Sequence, residues 1–367
     1  MKENYNRYFI CPLLPKEQLQ QLNGSVAANN FCNNLISSNI FTDIIPYWPT
    51  GNIDPTKLRY NNNKVRVICN KKWRNCSILC KFSFIYENIQ IFSQVKRNST
   101  VWFYNLPYTI ILLFILIKIF KPSVKCNIII LDFTPGRKGI KGFLDSIEIN
   151  CINRMHGMIK LADSSLFTVC NSVCLPGIVS MDGLQYPRII TIKKEFLISG
   201  TLEDNIAMLP LLLDVFSQLP DFILHIAGRA KGSDINFIKK YTSKHNNIIY
   251  HGMVSYDEYL HILHNTPFLL NTRNPQSPEN QCNFPSKIIE SLLHNRIIVS
   301  TLHYKQLQGI RYFKVRSINS EIFIRDLKKI VTMSSSDLLT YANQADEVRK
   351  RFNSNIWKQA IQNIEMN

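Results

Sequence analysis

The feature that most constrains this chain is an alternation of short apolar runs with amphipathic stretches long enough to be helices. The apolar runs fall at residues 65–69, 127–133, 165–169, 188–193, 222–227, 248–250, 268–270 and 297–300. Runs of this length and continuity are what strands buried on both faces look like. Between them, residues 205–218, 234–245, 256–264 and 286–294 carry helical periodicity. Strands alternating with helices predict an α/β fold built on doubly wound parallel sheets. The turn-forming segment MDGLQYPR at 181–188 interrupts the alternation. It divides the chain into two Rossmann-like domains, 1–183 and 184–340, followed by a helical tail over 341–367 that is expected to pack back on the first domain. Two such domains are expected to face a cleft where strand C-termini meet.

Composition narrows the function classes. The 367 residues carry 43 Lys and Arg against 26 Asp and Glu, a net charge of +17, with 46% hydrophobic residues. That supplies enough apolar material for two cores and excludes bulk disorder, while 13 Gly and 16 Pro exclude collagen-like sequence. The positive balance points to an anionic partner: nucleic acid, an anionic membrane surface, or a phosphorylated small molecule. No helix-turn-helix, zinc-finger or RNP-like pattern supports the first. The ten cysteines show no C-x-x-C spacing, and no second Cys/His pair stands beside Cys170 and Cys174. Reduced thiols in a cytoplasmic protein are the expectation, with no metal. Residues 102–122 form the most apolar segment, but Pro107 and Pro122 confine its helix to a few turns, short of the ~20 residues a span requires. Burial is the first reading of this helix; the second is a helix resting on a membrane, aided by Lys118, Lys121 and Lys125.

The segment 270–300, LNTRNPQSPENQCNFPSKIIESLLHNRIIVS, carries the most chemistry. A buried strand leads through a Pro-broken loop to a helix opening at Pro285-Ser286-Lys287, with Asn283 or Ser286 available as cap. A helix N-terminus of this kind suits phosphate, and Lys287 and Arg273 add full charge. Glu290, one turn further in, is placed to accept hydrogen bonds from ribose hydroxyls. Gly200-Thr201 ends an earlier strand, Gly228-Arg229-Ala230-Lys231 the next, and His251-Gly252-Met253-Val254 a third. Loops after parallel strands gather at one sheet edge, where open α/β folds bind ligands.

Taken in order, SGTL, IAGRAKG, YHGMVSYDEYLHIL and LLNTR…FPSKIIESLLHNRIIVST resemble the C-terminal half of the retaining GT-B glycosyltransferases. They are most similar to the "glycosyl transferases group 1" (family 4-like) members that carry Asn-Pro-Arg and Phe-Pro-Ser-Lys motifs. The resemblance is strong over 195–305 and colinear upstream, through NGSVAANNFCNNLI, ILDF at 130–133 and LADSSLFTV. It implies a GT-B fold, a nucleotide-sugar donor on the C-terminal domain and a glycan or lipid-linked acceptor on the N-terminal one. By the same resemblance Glu290 bonds the donor ribose, Ser286 and Lys287 adjoin the diphosphate, and Gly252 and Val254 meet the nucleobase. Such enzymes retain anomeric configuration without a protein nucleophile, metal or cofactor, because the leaving diphosphate takes the acceptor's proton. The protein's part is fixed positive charge, from Lys287, Arg273, Arg229, Lys231 and helix amides. Asp132 is a candidate for acceptor hydroxyls or the reacting centre, and Gly24-Ser25 for an acceptor-side loop.

The sequence departs from the family at several places. Cys282 stands where the commonest signature has its first glutamate, with Glu279 nearby. Thr201 and Asn205 stand near the place of a frequent Arg and Lys, Asn271-Thr272-Arg273 replaces Asn-Pro-Arg, and His294-Asn295-Arg296 replaces a small-Gly-Lys turn. Family members of this kind build surface polysaccharides at the cytoplasmic face of the cell membrane. The alternatives are a nucleotide-sugar epimerase on the same fold, or a GT-B-like binding protein without activity.

Overall fold

The computed structural model describes residues 5–19, 22, 24–48, 58–69, 73, 79–179, 186–316 and 318–367. Within them the apolar runs build two parallel sheets, each in its own compact unit. One unit comprises Met1–Ser180, Cys282–Phe284 and Phe352–Asn367; the other comprises Met181–Gln281 and Pro285–Arg351. Most of the turn segment expected at 181–188 lies outside the described residues.

In the first unit the strands are β1 (Arg7–Cys11), β2 (Asp43–Pro46), β3 (Thr100–Tyr104), β4 (Lys125–Ile130), β5 (Gly157–Lys160) and β6 (Ser172–Cys174). They lie in the order β2-β1-β3-β4-β5-β6. Parallel neighbours need crossovers, which are right-handed. Connections running one way across the sheet put Ser83–Gln94, Ile111–Phe120 and Gly139–Ile152 on one face, whereas Val26–Ile36, connecting the other way, covers the opposite face. The last helix, Ser354–Met366, packs beside Val26–Ile36. Its buried Trp357 stacks edge-on against Phe31 and donates its indole N–H to the Gly177 carbonyl at 2.6 Å. Glu365 accepts from the Trp102 indole at 3.0 Å and pairs with Arg7 at 2.7 Å.

The second unit holds β7 (Glu195–Thr201), β8 (Ile223–Arg229), β9 (Ile248–Gly252), β10 (Phe268–Asn271), β11 (Ile297–Ser300) and β12 (Phe313–Lys314), in the order β12-β11-β10-β7-β8-β9. Phe196, Leu224, Phe268, Ile297 and Val299 are buried under the helices Leu209–Ser217 and Ser320–Val331. Both sheets are doubly wound, as the alternation predicts, and no helix among the described residues is long and apolar enough to cross a membrane.

Several local expectations are corrected. Residues 188–193 are not a strand, because the Asn343 side chain takes both backbone groups of Ile189, accepting from its N–H at 2.9 Å and donating to its carbonyl at 3.0 Å. Residues 165–169 bury Phe167 and Val169 in the first core without joining the sheet; its edge is Ser172–Cys174 instead. Of the run 65–69 only Val65 bridges, to Ile44. The helix expected over 205–218 breaks at Met208 (φ 46°), because Pro210 restarts it in a new first turn. The apolar segment 102–122 begins as the strand β3, and its helix buries only one face.

Candidate functional site

The C-terminal ends of β7 to β11 carry the second unit's site residues. Parallel pairing aligns Gly200 with Gly228 and Thr201 with Arg229. The contact is too close for any side chain: a Cβ on Gly228, whose φ is +148°, would lie 2.0 Å from the Gly200 carbonyl oxygen. Gly228 is therefore what lets β7 and β8 end side by side, with Thr201 and Arg229 exposed beyond it; Gly200 has open space where a Cβ would stand, and only its φ of +110° favours glycine. Lys231 starts the helix Gly232–Thr242 and pairs with Glu203 at 3.1 Å.

After β9, Gly252 turns in the left-handed region (φ +71°) and Val254 leads to Ser255. Ser255 and Glu258 cap the helix Tyr256–Asn265 reciprocally, the side chain of each satisfying a backbone N–H of the other. That cap fixes the helix so that Tyr256 and Tyr259 reach the helix Ser286–Leu293. There the Tyr256 hydroxyl donates to Glu290 Oε1 at 3.3 Å and the Tyr259 hydroxyl to Oε2 at 3.2 Å. Lys287 Nζ lies 3.3 Å from Glu290 Oε2 and 3.7 Å from the Tyr259 ring centroid. Burial first, and then the Glu290 charge, push both tyrosine hydroxyls well above their ordinary range, so they remain proton donors. The carboxylate is held by two neutral donors and one cation before any ligand arrives.

Ser286 is exposed at the first turn of that helix, and Pro285 occupies the cap position without a side-chain bond. Asn283, one of the two caps expected, does something else: with Cys282 and Phe284 it belongs to the first unit, where its Oδ1 accepts from the Phe133 N–H at 2.6 Å. Ser286 is likewise not used as a cap. No side chain caps this helix, and of its first-turn amides the Ile288 N–H is bonded to the Pro285 carbonyl at 3.0 Å. Cys282 is buried in the first unit's apolar cluster, its sulfur 3.3 Å from Ser164 Oγ.

Arg273 follows β10. Thr301 accepts from its backbone N–H at 2.8 Å and donates to its carbonyl at 2.6 Å, while one guanidinium nitrogen donates to Asn280 at 3.0 Å. The neighbouring Asn271 side chain donates to Ser300 Oγ and the Tyr304 hydroxyl. Burial pushes that hydroxyl up to about 12. In the turn 294–296, Asn295 takes the left-handed conformation (φ +65°), which asparagine tolerates better than other side chains.

The structure thus brings Lys287 and Glu290 together and puts Gly200, Thr201, Arg229, Lys231, Gly252, Val254, Arg273 and Ser286 at the same sheet edge. Asp132, Gly24 and Ser25 belong to the first unit. Asp132 is exposed beyond β4; burial first, then Cys32 and after it Asp132, push the Tyr104 hydroxyl up. Ser25 caps the helix Val26–Ile36, accepting from Ala28 N–H at 3.2 Å, and Gly24 fits against Leu14 and Leu19. Sequence reasoning missed Tyr256 and Tyr259, whose signal was their spacing behind the Ser255–Glu258 cap. It also missed His225, whose Nδ1 lies 3.0 Å from His251 Nε2.

No protein-family model matches the chain, and no curated protein matches it in sequence. Solved structures do match in shape. A trehalose-6-phosphate synthase superposes with a TM-score of 0.71 at 7% identity, over 99% of both chains. The N-terminal domain of a Candida albicans trehalose-6-phosphate phosphatase gives 0.68 at 12% identity, over 100% of this chain and 98% of that one. The Anabaena protein HepE, in complex with UDP and glucose, gives 0.66 at 12% identity, over 98% of each. At these identities the likeness is one of fold: two doubly wound domains with a helical C-terminal tail, the GT-B class.

Proposed function

We propose that this chain is a retaining, hexosyltransferase-like glycosyltransferase that moves a sugar from a nucleotide-sugar donor to a glycan or lipid-linked saccharide in surface polysaccharide synthesis. Its place would be the cytoplasmic side of the cell membrane. The observation that carries the reading is the Glu290 carboxylate, held by Tyr256, Tyr259 and Lys287 beside a helix N-terminus at the sheet edge. A carboxylate so placed accepts the paired hydroxyls of a ribose, and the adjacent amides and cations suit the diphosphate. The fold agrees with this, since HepE was solved with UDP and glucose.

In the reaction proposed, the glycosidic bond to the diphosphate breaks and the acceptor hydroxyl bonds to the anomeric carbon on the same face. The departing phosphate oxygen takes the hydroxyl's proton. Arg273 and Arg229 supply fixed positive charge where phosphate charge develops; Lys287, paired with Glu290, and Lys231, paired with Glu203, add to it less directly. Asp132, Gly24 and Ser25 remain the acceptor-side residues of this reading.

Thermal stabilisation by UDP or GDP at micromolar concentration tests donor binding, and a nucleotide-sugar screen with product mass measurement tests transfer. Glu290→Ala should weaken nucleoside diphosphate binding by roughly 10–100-fold, the worth of a charge-assisted hydrogen bond. A Glu290→Ala protein of full affinity and activity would refute the assignment. Indifference to every nucleoside diphosphate would sink the transferase reading as a whole.

A further inference from the structure

The helices Ser83–Gln94, Ile111–Phe120 and Gly139–Ile152 form one layer of the first unit, and each is apolar on both sides. Their inward stripes, such as Leu113, Phe114 and Ile117, pack on the sheet. Their outward stripes expose Ile89, Ile115, Ile119, Phe120, Ile140 and Phe143, with Ile119 at 63%, Ile140 at 81% and Phe143 at 66% exposure. Isolated exposed apolar residues need no explanation, but stripes on three adjacent helices do. Lys121 ties the first two helices together by donating to the carbonyls of Phe92 and Val95.

The charges on this layer are as one-sided as its apolar residues. Lys118 and Lys141 are exposed among them, with Lys96, Arg97, Arg137 and Lys138 at the helix ends. None of the carboxylates in the three helices is exposed: Glu87 and Asp145 are buried and Glu148 is half-buried. Asp145 is bonded to Arg137. Glu148 is pushed up to about 7, first by burial and then by Asp145, which reduces its negative charge near neutral pH.

We propose that this layer is the docking face for a bilayer rich in anionic lipid, with the apolar stripes entering the headgroup–acyl boundary and the cations meeting lipid phosphates. A second copy of the chain fits worse, because two cationic faces would oppose each other. The inference deepens the lipid-linked acceptor reading by naming the surface involved. It rests on that reading only in one respect: the loop after β4, which holds Asp132, leads directly into Gly139–Ile152, so a bilayer here would bring a lipid-borne acceptor to that sheet edge.

The test is flotation of the full chain with phosphatidylglycerol–phosphatidylcholine vesicles against phosphatidylcholine alone. Binding to the anionic vesicles that weakens with salt is expected. The pair Ile119→Glu and Phe120→Glu should lower vesicle affinity about a hundredfold, and Lys118→Glu with Lys141→Glu about tenfold or more. Both pairs lie on the surface, and an unchanged thermal midpoint checks that each folds. Wild-type protein that ignores anionic vesicles at low salt would overturn the proposal. So would a wild-type dimer that the Ile119/Phe120 pair converts to monomer without any vesicle binding. Nucleotide stabilisation is read separately, so the docking face and the transferase assignment stand or fall apart.

Discussion

Replacing Gly228 by alanine is the sharpest perturbation of the site's foundation. The added methyl would lie 2.0 Å from the Gly200 carbonyl oxygen and 2.9 Å from that residue's backbone C and N. These are backbone atoms of a paired central strand, so no side chain can swing aside, and the strands must part by on the order of 1 Å to restore van der Waals contact. The φ of +148° adds strain of its own for any residue with a Cβ. Backbone strain at about 1–3 kcal/mol and overpacking at about 1–3 kcal/mol together give roughly 2–6 kcal/mol of destabilisation. That is a large share of the 5–15 kcal/mol typical of folded proteins. Urea denaturation followed by far-UV circular dichroism measures it, with Gly232→Ala as control, since a Cβ at Gly232 has nothing within 4 Å. The control should unfold within about 1 kcal/mol of wild type. Whatever Gly228→Ala protein remains folded should bind nucleoside diphosphate more weakly, because Thr201 and Arg229 move with the strand ends. Equal denaturation midpoints for the two variants would show that this close approach is not what the glycine serves.

Further tests concern the buried polar groups behind the site. His294, buried against His264 at 2.7 Å, is lowered to about 4 by burial first, then by His264, Arg296 and Arg349. Its folded value lies below the unfolded one, so the stability it contributes is present above about pH 6.5 and lost as pH falls toward 4. A loss of roughly 2–3 kcal/mol should appear in denaturation midpoints across that window, and a flat profile over it would contradict the assignment. Arg296 is buried with three carbonyls as its partners, those of His294, His264 and Pro187. Arg296→Met should cost about 3–5 kcal/mol by leaving them unpaired, read as a lowered thermal midpoint with nucleotide affinity unchanged in the protein that remains folded.

How much of this was legible in the sequence follows from range. The runs at 127–133, 222–227, 248–250, 268–270 and 297–300 became strands because their apolar character is continuous and the helices beside them are strongly periodic. The run at 188–193 looks the same locally, yet Asn343 claims its backbone from 154 residues away. No local pattern announces a side chain so distant. The glycines of the strand-end loops were legible as turns; that Gly228 is required by Gly200 became visible only once the two strands paired.

The alternation of apolar runs with helical stretches, by itself, determined the α/β class and the edge at which the loops would gather, because parallel strands admit few connections. Lys287 and Glu290 followed from that, being one turn apart on a helix that starts at the edge. What only the tertiary structure decided were the contacts between elements. Tyr256 and Tyr259 come to the Glu290 carboxylate from another helix, Asn283 leaves its helix to serve Phe133, and Cys282 sinks into an apolar cluster. The apolar helix at 111–120 was visible as a run of residues, but its two faces were not. Packing buries one of them, and the other lies in a layer with its neighbours, because the crossovers put all three helices on the same side of one sheet.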